Sequence, residues 1–205
     1  MSLTFYYAPM STATLTDLVL EELGVPCKRV KVDISKGDTK QPEFLKLNPN
    51  GKVPLLVHDD IPIFESAAIT MYLGETFGVE KKLYPAPGPK RGEAMKWIVW
   101  NNVTLGDAVY NWARNTMWHP EDMRNAKAGE AAKKDIAGCL NVLNQALEGK
   151  DYLVGGYTLA DTHVNSFCDW LRGMKLDFTP FNNLNAWNKR CTERPAYAKV
   201  MSSEK

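Results

Sequence analysis

The stretch NGKVPLLVHDDIPIFES, residues 50 to 66, decides how the first part of the chain folds. Two short apolar runs, PLLV and IPIF, are separated by a polar turn at Asp59-Asp60. So short a turn can join only antiparallel neighbours, so these runs predict an antiparallel strand pair. Pro54 has no N–H and is tolerated at the start or edge of a strand. Glu65-Ser66 closes the second strand where a helix is predicted to begin.

Before this strand pair, the spacing of hydrophobic residues changes between strand-like and helix-like about every dozen positions. LTFYYA predicts a strand, STATLTDLVLEELG a helix that stops at Gly24, and KRVKVDI a strand that alternates apolar and charged residues. A short helix PEFLKL follows, then the strand pair and a helix from Ser66 to about Phe77. The order βαβ then ββα predicts a mixed four-stranded sheet with helices on its faces, an α/β domain.

The second half of the chain has a different pattern. LYPAPGPKRG concentrates proline and glycine, which is typical of a linker, and strand patterns disappear after it. From about Gly92 the pattern is helical, with breaks at Gly149, at VGGYT, at Pro180 and at Pro195. We therefore predict an α/β domain over 1–78, a linker over 79–91 and an all-α bundle over 92–205.

Composition narrows the class of partner. The chain has 205 residues, 44% of them hydrophobic, and a net charge of +1. Without a Lys/Arg patch, a nucleic-acid partner is not expected. No apolar run approaches the roughly 20 residues that cross a bilayer, and the N-terminus lacks signal-peptide features, so we expect a cytoplasmic protein without membrane partners. The four cysteines and three histidines show no ligand spacing, so no metal is expected.

Three places in the first domain carry polar groups suited to a ligand. Ser11 is predicted to cap the first long helix, where a hydroxyl could serve as a cap alone or donate to an anion. The backbone of Val53, before Pro54, is predicted to face a cleft and to pair with an extended peptide. Ser66 is predicted to cap the next helix and bind a carboxylate, while Glu65 binds an ammonium, together an amino-acid head group. The alternative for this pair is a simple cap followed by a solvated acid.

The order of these motifs resembles a known family. APMST after the first strand, NPNGKVPLL, IFESAAITMYL, YTLADTHV and ERPAYAKV together resemble the cytosolic glutathione S-transferases, with features of their serine-type, theta-like and bacterial beta-like branches. The resemblance covers nearly the whole chain. It implies that the first domain is thioredoxin-like and that glutathione is the co-substrate.

The resemblance also implies roles for residues of the glutathione site. Val53-Pro54 matches the family's valine with a cis-proline, whose backbone pairs with the cysteinyl part of glutathione. Lys52 matches a residue that reaches the glycine carboxylate. Glu65 and Ser66 match the pair that holds the γ-glutamyl ammonium and carboxylate.

The hydroxyl that activates the thiol has four candidates. Ser11 matches the serine of the theta-like branch and is placed first, followed by Tyr6 or Tyr7 at the end of the first strand. Strand alternation turns only one of these two rings toward the cleft. Thr12 stands near the cysteine position of the beta class. No cysteine lies between Pro9 and Thr14, which weighs against thiol–disulfide exchange through a protein mixed disulfide.

The implied activity is detoxification by transfer of glutathione to small hydrophobic electrophiles, in a homodimer. A glutathione-dependent peroxidase, isomerase or dehalogenase, or a non-catalytic binding protein on the same scaffold, remains the alternative. Six large side chains, predicted on one long helix, could pack in the core, at a dimer interface or around the electrophile: Trp97, Trp100, Tyr110, Trp112, Met117 and Trp118. T-x-x-D at 158–161 predicts a capping box.

Overall fold

A computed structural model describes residues 2–203 of the chain. The first domain contains four strands, β1 (Leu3–Tyr7), β2 (Lys28–Lys31), β3 (Leu55–His58) and β4 (Ile61–Phe64). They form one sheet in the order β2-β1-β3-β4. β1 pairs parallel with β2 and antiparallel with β3, and β3 pairs antiparallel with β4. The predicted mixed sheet is confirmed.

Three helices accompany this sheet: α1 (Ala13–Leu23), α2 (Pro42–Leu47) and α3 (Ser66–Leu73). Helix α1 ends at Gly24, whose φ of 57° is left-handed and favours glycine. Strand β2 stops three residues before the predicted end at Ile34, and β3 begins after Pro54, which cannot donate to the ladder. Helix α3 is followed by a π-helical turn over Gly74–Gly78, close to the predicted end.

The second domain is helical throughout, as predicted. Helix α4 (Pro89–Trp100) continues through a π turn into α5 (Gly106–Ala113) and a second π turn that ends at Trp118. Four more helices follow: α6 (Ala126–Ala146), α7 (Leu159–Gly173), α8 (Asn182–Thr192) and α9 (Pro195–Ser203). Helix α4 starts inside the range 79–91 assigned to the linker, since proline suits the first turn of a helix.

One continuous core joins the two domains. Phe5, Leu55 and Ile69 of the first domain are fully buried, as are Ile98 and Leu159 of the second, and all belong to the same cluster. The capping box is confirmed: the carboxylate of Asp161 accepts from the N–H of Thr158 at 2.9 Å. Across residues 2–203, no helix is both long and apolar enough to span a bilayer.

Candidate functional site

The strand register brings the three predicted ligand segments to one edge of the sheet. Tyr6 of β1 is paired with Leu55 of β3, which is paired in turn with Phe64 of β4. β1 and β4 end at this edge, whereas β3 begins there. The start of α1, the Val53-Pro54 bond and the Glu65-Ser66 pair each lie within a few residues of it.

The Val53-Pro54 peptide bond is cis, as the family resemblance implies. The loop before it is held by Asn48, a buried residue whose side chain donates to the Lys52 carbonyl at 2.7 Å. Lys40 Nζ donates to the carbonyls of Asn50 and Gly51 at 3.3 and 3.1 Å. Lys40 therefore braces this loop, although sequence reasoning left it outside the site.

The start of α1 differs in detail from the prediction. The N-cap position belongs to Thr12, and Ser11 lies one residue earlier. Ser11 Oγ accepts from the N–H of Ala13 at 3.1 Å and donates to the Ala8 carbonyl at 2.7 Å. The serine thus satisfies one N–H of the first turn without occupying the cap position, because the helix begins later than its sequence pattern suggested.

Thr12 connects α1 to the cis-proline loop. Its hydroxyl donates to the carbonyl of Val53 at 3.3 Å. The Val53 carbonyl, which the sequence predicts to face a cleft, therefore already has one partner within the protein, and its second lone pair remains for a ligand.

Tyr6 and Tyr7 are both half-buried and lie on opposite faces of β1. Tyr6 packs edge to face on Phe44 of α2, with ring centroids 5.9 Å apart. Tyr7 stacks on Phe5 at 5.6 Å. Each ring therefore contributes to packing in the first domain.

Glu65 and Ser66 occupy the junction between β4 and α3. Glu65 is exposed, with a left-handed φ of 70°, and makes no ion pair with any residue of the described range. Non-glycine residues in this region of backbone space are costly and concentrate at functional sites. Ser66 is the first residue of α3 and not its cap, so the predicted capping role is wrong.

The hydroxyl of Ser66 has partners that sequence reasoning did not anticipate. Asn102 Nδ2 donates to Ser66 Oγ at 2.9 Å, and Asn102 Oδ1 lies 2.7 Å from His163 Nε2. His163 Nδ1 lies 2.9 Å from Thr70 Oγ1, one turn after Ser66 on α3. Helices of both domains therefore contribute to the surroundings of Ser66.

The protein's own thiols are not activated. All four cysteines are free, and burial raises the pKa of Cys27 to about 11 and that of Cys168 to about 12. Burial also raises the pKa of Cys139 and Cys191. Within residues 2–203, no group of three or more His, Cys, Asp or Glu side chains could hold a metal ion.

The large side chains predicted on one long helix do lie on the continuous α4–α5 segment. Trp97 and Trp112 are buried in the core, whereas Tyr110 and Trp118 are about half exposed. The Trp118 ring contacts those of Tyr110 and Trp170, with centroids 5.8 and 6.3 Å away.

Comparison with known proteins decides the family. The model of the glutathione S-transferase N-terminal domain matches residues 1–75, and that of the C-terminal domain matches residues 107–195. The chain belongs to the glutathione S-transferase family. Glutathione S-transferase GstB of Escherichia coli strain K12 is 33% identical over 187 residues, which cover 90% of this chain and 89% of GstB.

Two other relatives are a disulfide-bond oxidoreductase and a transferase crystallised with a ligand. The disulfide-bond oxidoreductase YfcG of Escherichia coli strain K12 is 26% identical over 204 residues, 96% of this chain and 93% of YfcG. The glutathione transferase URE2P6 of Phanerochaete chrysosporium, crystallised with oxidized glutathione, has 29% identity and a TM-score of 0.91. That alignment covers 99% of this chain and 96% of URE2P6.

Proposed function

We propose that this protein is a glutathione transferase that activates the thiol of glutathione for attack on small hydrophobic electrophiles. One observation carries the proposal: the strand register collects the starts of α1 and α3 and the cis-proline loop at a single sheet edge. These segments supply groups for the thiol, the head group and the peptide backbone of one tripeptide.

Each part of glutathione has a matching group in this proposal. The carboxylate of Glu65 takes the γ-glutamyl ammonium, and the hydroxyl of Ser66, at the start of α3, takes the carboxylate. The backbone of Val53, before Pro54, pairs with the cysteinyl unit. Lys52, an exposed cation in the same loop, takes the glycine carboxylate.

Ser11 is the proposed donor to the thiolate. Its Oγ is held by the Ala13 N–H, and its hydrogen, directed at the Ala8 carbonyl, can rotate about Cβ–Oγ without moving the oxygen. A thiol of pKa about 8.5 is mostly protonated at neutral pH, and lowering that pKa by two units needs about 2.7 kcal/mol. One charge-assisted hydrogen bond and the helix N-terminus together supply that amount. Tyr6, Tyr7 and Thr12 are the successive alternatives.

We further propose that the protein is a cytoplasmic homodimer that serves detoxification. Val99 on α4, Val103 in the π turn that follows it and Val142 on α6 are apolar side chains between 42% and 66% exposed. Such residues are suited to a contact with a second copy. Light scattering after size-exclusion chromatography tests this part: a particle of 46 kDa, twice the 23.0 kDa chain, is expected.

The activity is tested by calorimetric titration of the purified protein with reduced glutathione, followed by addition of a chromogenic aryl halide. Binding with formation of the thioether is the expected result. Glutathione-dependent turnover of a different substrate that leaves glutathione unconsumed would indicate an isomerase instead. An absence of binding at millimolar glutathione would overturn the proposal and favour a non-catalytic binding protein.

A second candidate is reduction of disulfides by glutathione, which the similarity to YfcG favours. Because no protein thiol is activated, two glutathione molecules would supply both electrons: two GSH and RSSR give GSSG and two RSH. Glutathione oxidised on addition of a dialkyl disulfide, with no product from the aryl halide, would favour this reaction. The same assay with a hydroperoxide or an alkyl halide tests the peroxidase and dehalogenase alternatives.

A further inference from the structure

Four polar side chains form a hydrogen-bonded series that leaves the first domain at Thr70, crosses the second domain and returns to Ser66. The series runs from Thr70 through His163 and Asn102 to Ser66, with separations of 2.9, 2.7 and 2.9 Å. Three helical segments contribute: α3 holds both ends, the π turn Asn101–Leu105 between α4 and α5 holds Asn102, and α7 holds His163. Thr70 and His163 are completely buried, so solvent does not compete for the bond between them.

Each hydrogen bond in this series is donated in a direction that the chemistry of the Asn102 side chain determines. The Asn102 amide nitrogen donates to Ser66, and its oxygen can only accept, so the hydrogen between Asn102 and His163 lies on Nε2. A neutral imidazole then has Nδ1 as an acceptor, and Thr70 must donate to it. The protein environment supports this charge state, because burial lowers the pKa of His163 to about 3.

This direction has a consequence for Ser66. Its oxygen already accepts from Asn102, so its own hydrogen remains available to another acceptor. If the Asn102 amide were flipped, so that its oxygen and nitrogen exchanged places, Ser66 would donate to the amide oxygen and would have no hydrogen left for a ligand. The orientation of one amide therefore determines whether Ser66 is a donor or an acceptor toward the site.

We propose that Asn102 and His163 are positioning residues that hold the Ser66 hydroxyl as a donor to the α-carboxylate of bound glutathione. The inference rests on the glutathione site proposed above. His163 selects the amide orientation of Asn102, and Asn102 aligns Ser66, so neither needs to touch the ligand. The helical domain thereby contributes to recognition of a head group that the first domain binds.

The test compares two ligands on two proteins. Wild type and Asn102→Leu are titrated calorimetrically with glutathione and with γ-aminobutyryl-cysteinylglycine, which lacks only the α-carboxylate. We expect Asn102→Leu to weaken glutathione binding about fivefold or more and analogue binding less than about twofold, because only the carboxylate uses the aligned hydroxyl. A general structural defect would weaken both ligands equally.

The outcomes separate the two proposals. If wild type binds glutathione and Asn102→Leu weakens both ligands alike, the positioning role is overturned and the transferase remains. If wild type does not bind glutathione, the proposed function fails first. If Asn102→Leu does not fold, a measurement on wild type alone still tests the proposal: ¹⁵N NMR of the assigned His163 ring must show the Nε2–H tautomer. The Nδ1–H tautomer would overturn the proposed direction.

Discussion

Arg194 forms an ion pair between the two ends of the chain, and its removal should destabilise the whole protein. Its guanidinium donates to both carboxylate oxygens of Glu22 in α1, at 2.6 and 2.7 Å. It also lies 3.6 Å from the centre of the Tyr157 ring, and the Tyr157 hydroxyl donates to Glu22 at 3.0 Å. The hydrogen bond to Glu22 raises the pKa of Arg194, so its charge persists at every working pH.

The substitution Arg194→Met keeps most of the alkyl stem and removes the charge. The Glu22 side chain is only 6% exposed, so it would lose its counter-ion in a nearly dry position. Breaking a fully buried pair costs about 3–5 kcal/mol. The Arg194 side chain is 29% exposed, so we reduce this to about 2–3 kcal/mol because solvent screens part of the interaction. For a chain of this size, Tm should fall by about 5–10 °C.

Urea unfolding followed by circular dichroism measures the loss. The matched control is Lys189→Met, since the Lys189–Glu193 pair on α8 is 75% and 63% exposed and should change stability by less than about 0.5 kcal/mol. The double variant Glu22→Gln/Arg194→Met should recover part of the single-variant loss, because no unpaired buried charge remains. A loss as small as that of the control, or strict additivity in the double variant, would refute the reasoning.

Three further outcomes are expected. Ser11→Ala should leave glutathione affinity within about threefold and lower kcat at least about tenfold, because the hydroxyl acts mainly on the thiolate; unchanged turnover would shift the role to Tyr6 or Tyr7. Glu65→Gln should weaken glutathione binding about tenfold or more in a calorimetric titration, and wild-type affinity would contradict the head-group assignment. The folded pKa of His163, about 3, lies below the ordinary 6.5, so the unfolded chain binds the extra proton and stability falls as pH drops below about 6.5. His163→Gln should flatten that slope by up to about 1.4 kcal/mol per pH unit, measured by urea unfolding between about pH 4 and 6; parallel slopes would contradict it.

The sequence predicts the architecture well because local signals agree with the fold. The bounds of α2 and β4 match the runs PEFLKL and IPIF. The break before α8 includes Pro180, whereas Pro195 is the first residue of α9 and follows the break. Each of these elements is bounded by proline, glycine or a charged turn, which limits the conformations of a short segment.

The surroundings of Ser66 could not be predicted in the same way. Asn102 is 36 residues away from Ser66 along the chain, and His163 is a further 61 residues on. A single polar residue in a helical pattern shows which face it occupies, but it does not identify a distant partner. The one available signal was that His163 shares a helical face with Leu159, Ala160 and Phe167 on α7, where a buried polar group requires a partner.

In the loop before the cis-proline, the backbone restricts substitution at position 51 more strongly than the Lys40 side chain does. A Cβ on Gly51 would lie 2.6 Å from Lys40 Nζ and 2.8 Å from the Thr39 carbonyl, and φ at Gly51 is 57°. Shortening the lysine removes only the first clash, because the carbonyl belongs to the backbone. In a library randomised at both positions, selection for folded protein should return glycine at 51 whatever residue stands at 40, whereas position 40 should accept several residues at the cost of the two hydrogen bonds that Lys40 makes to the loop.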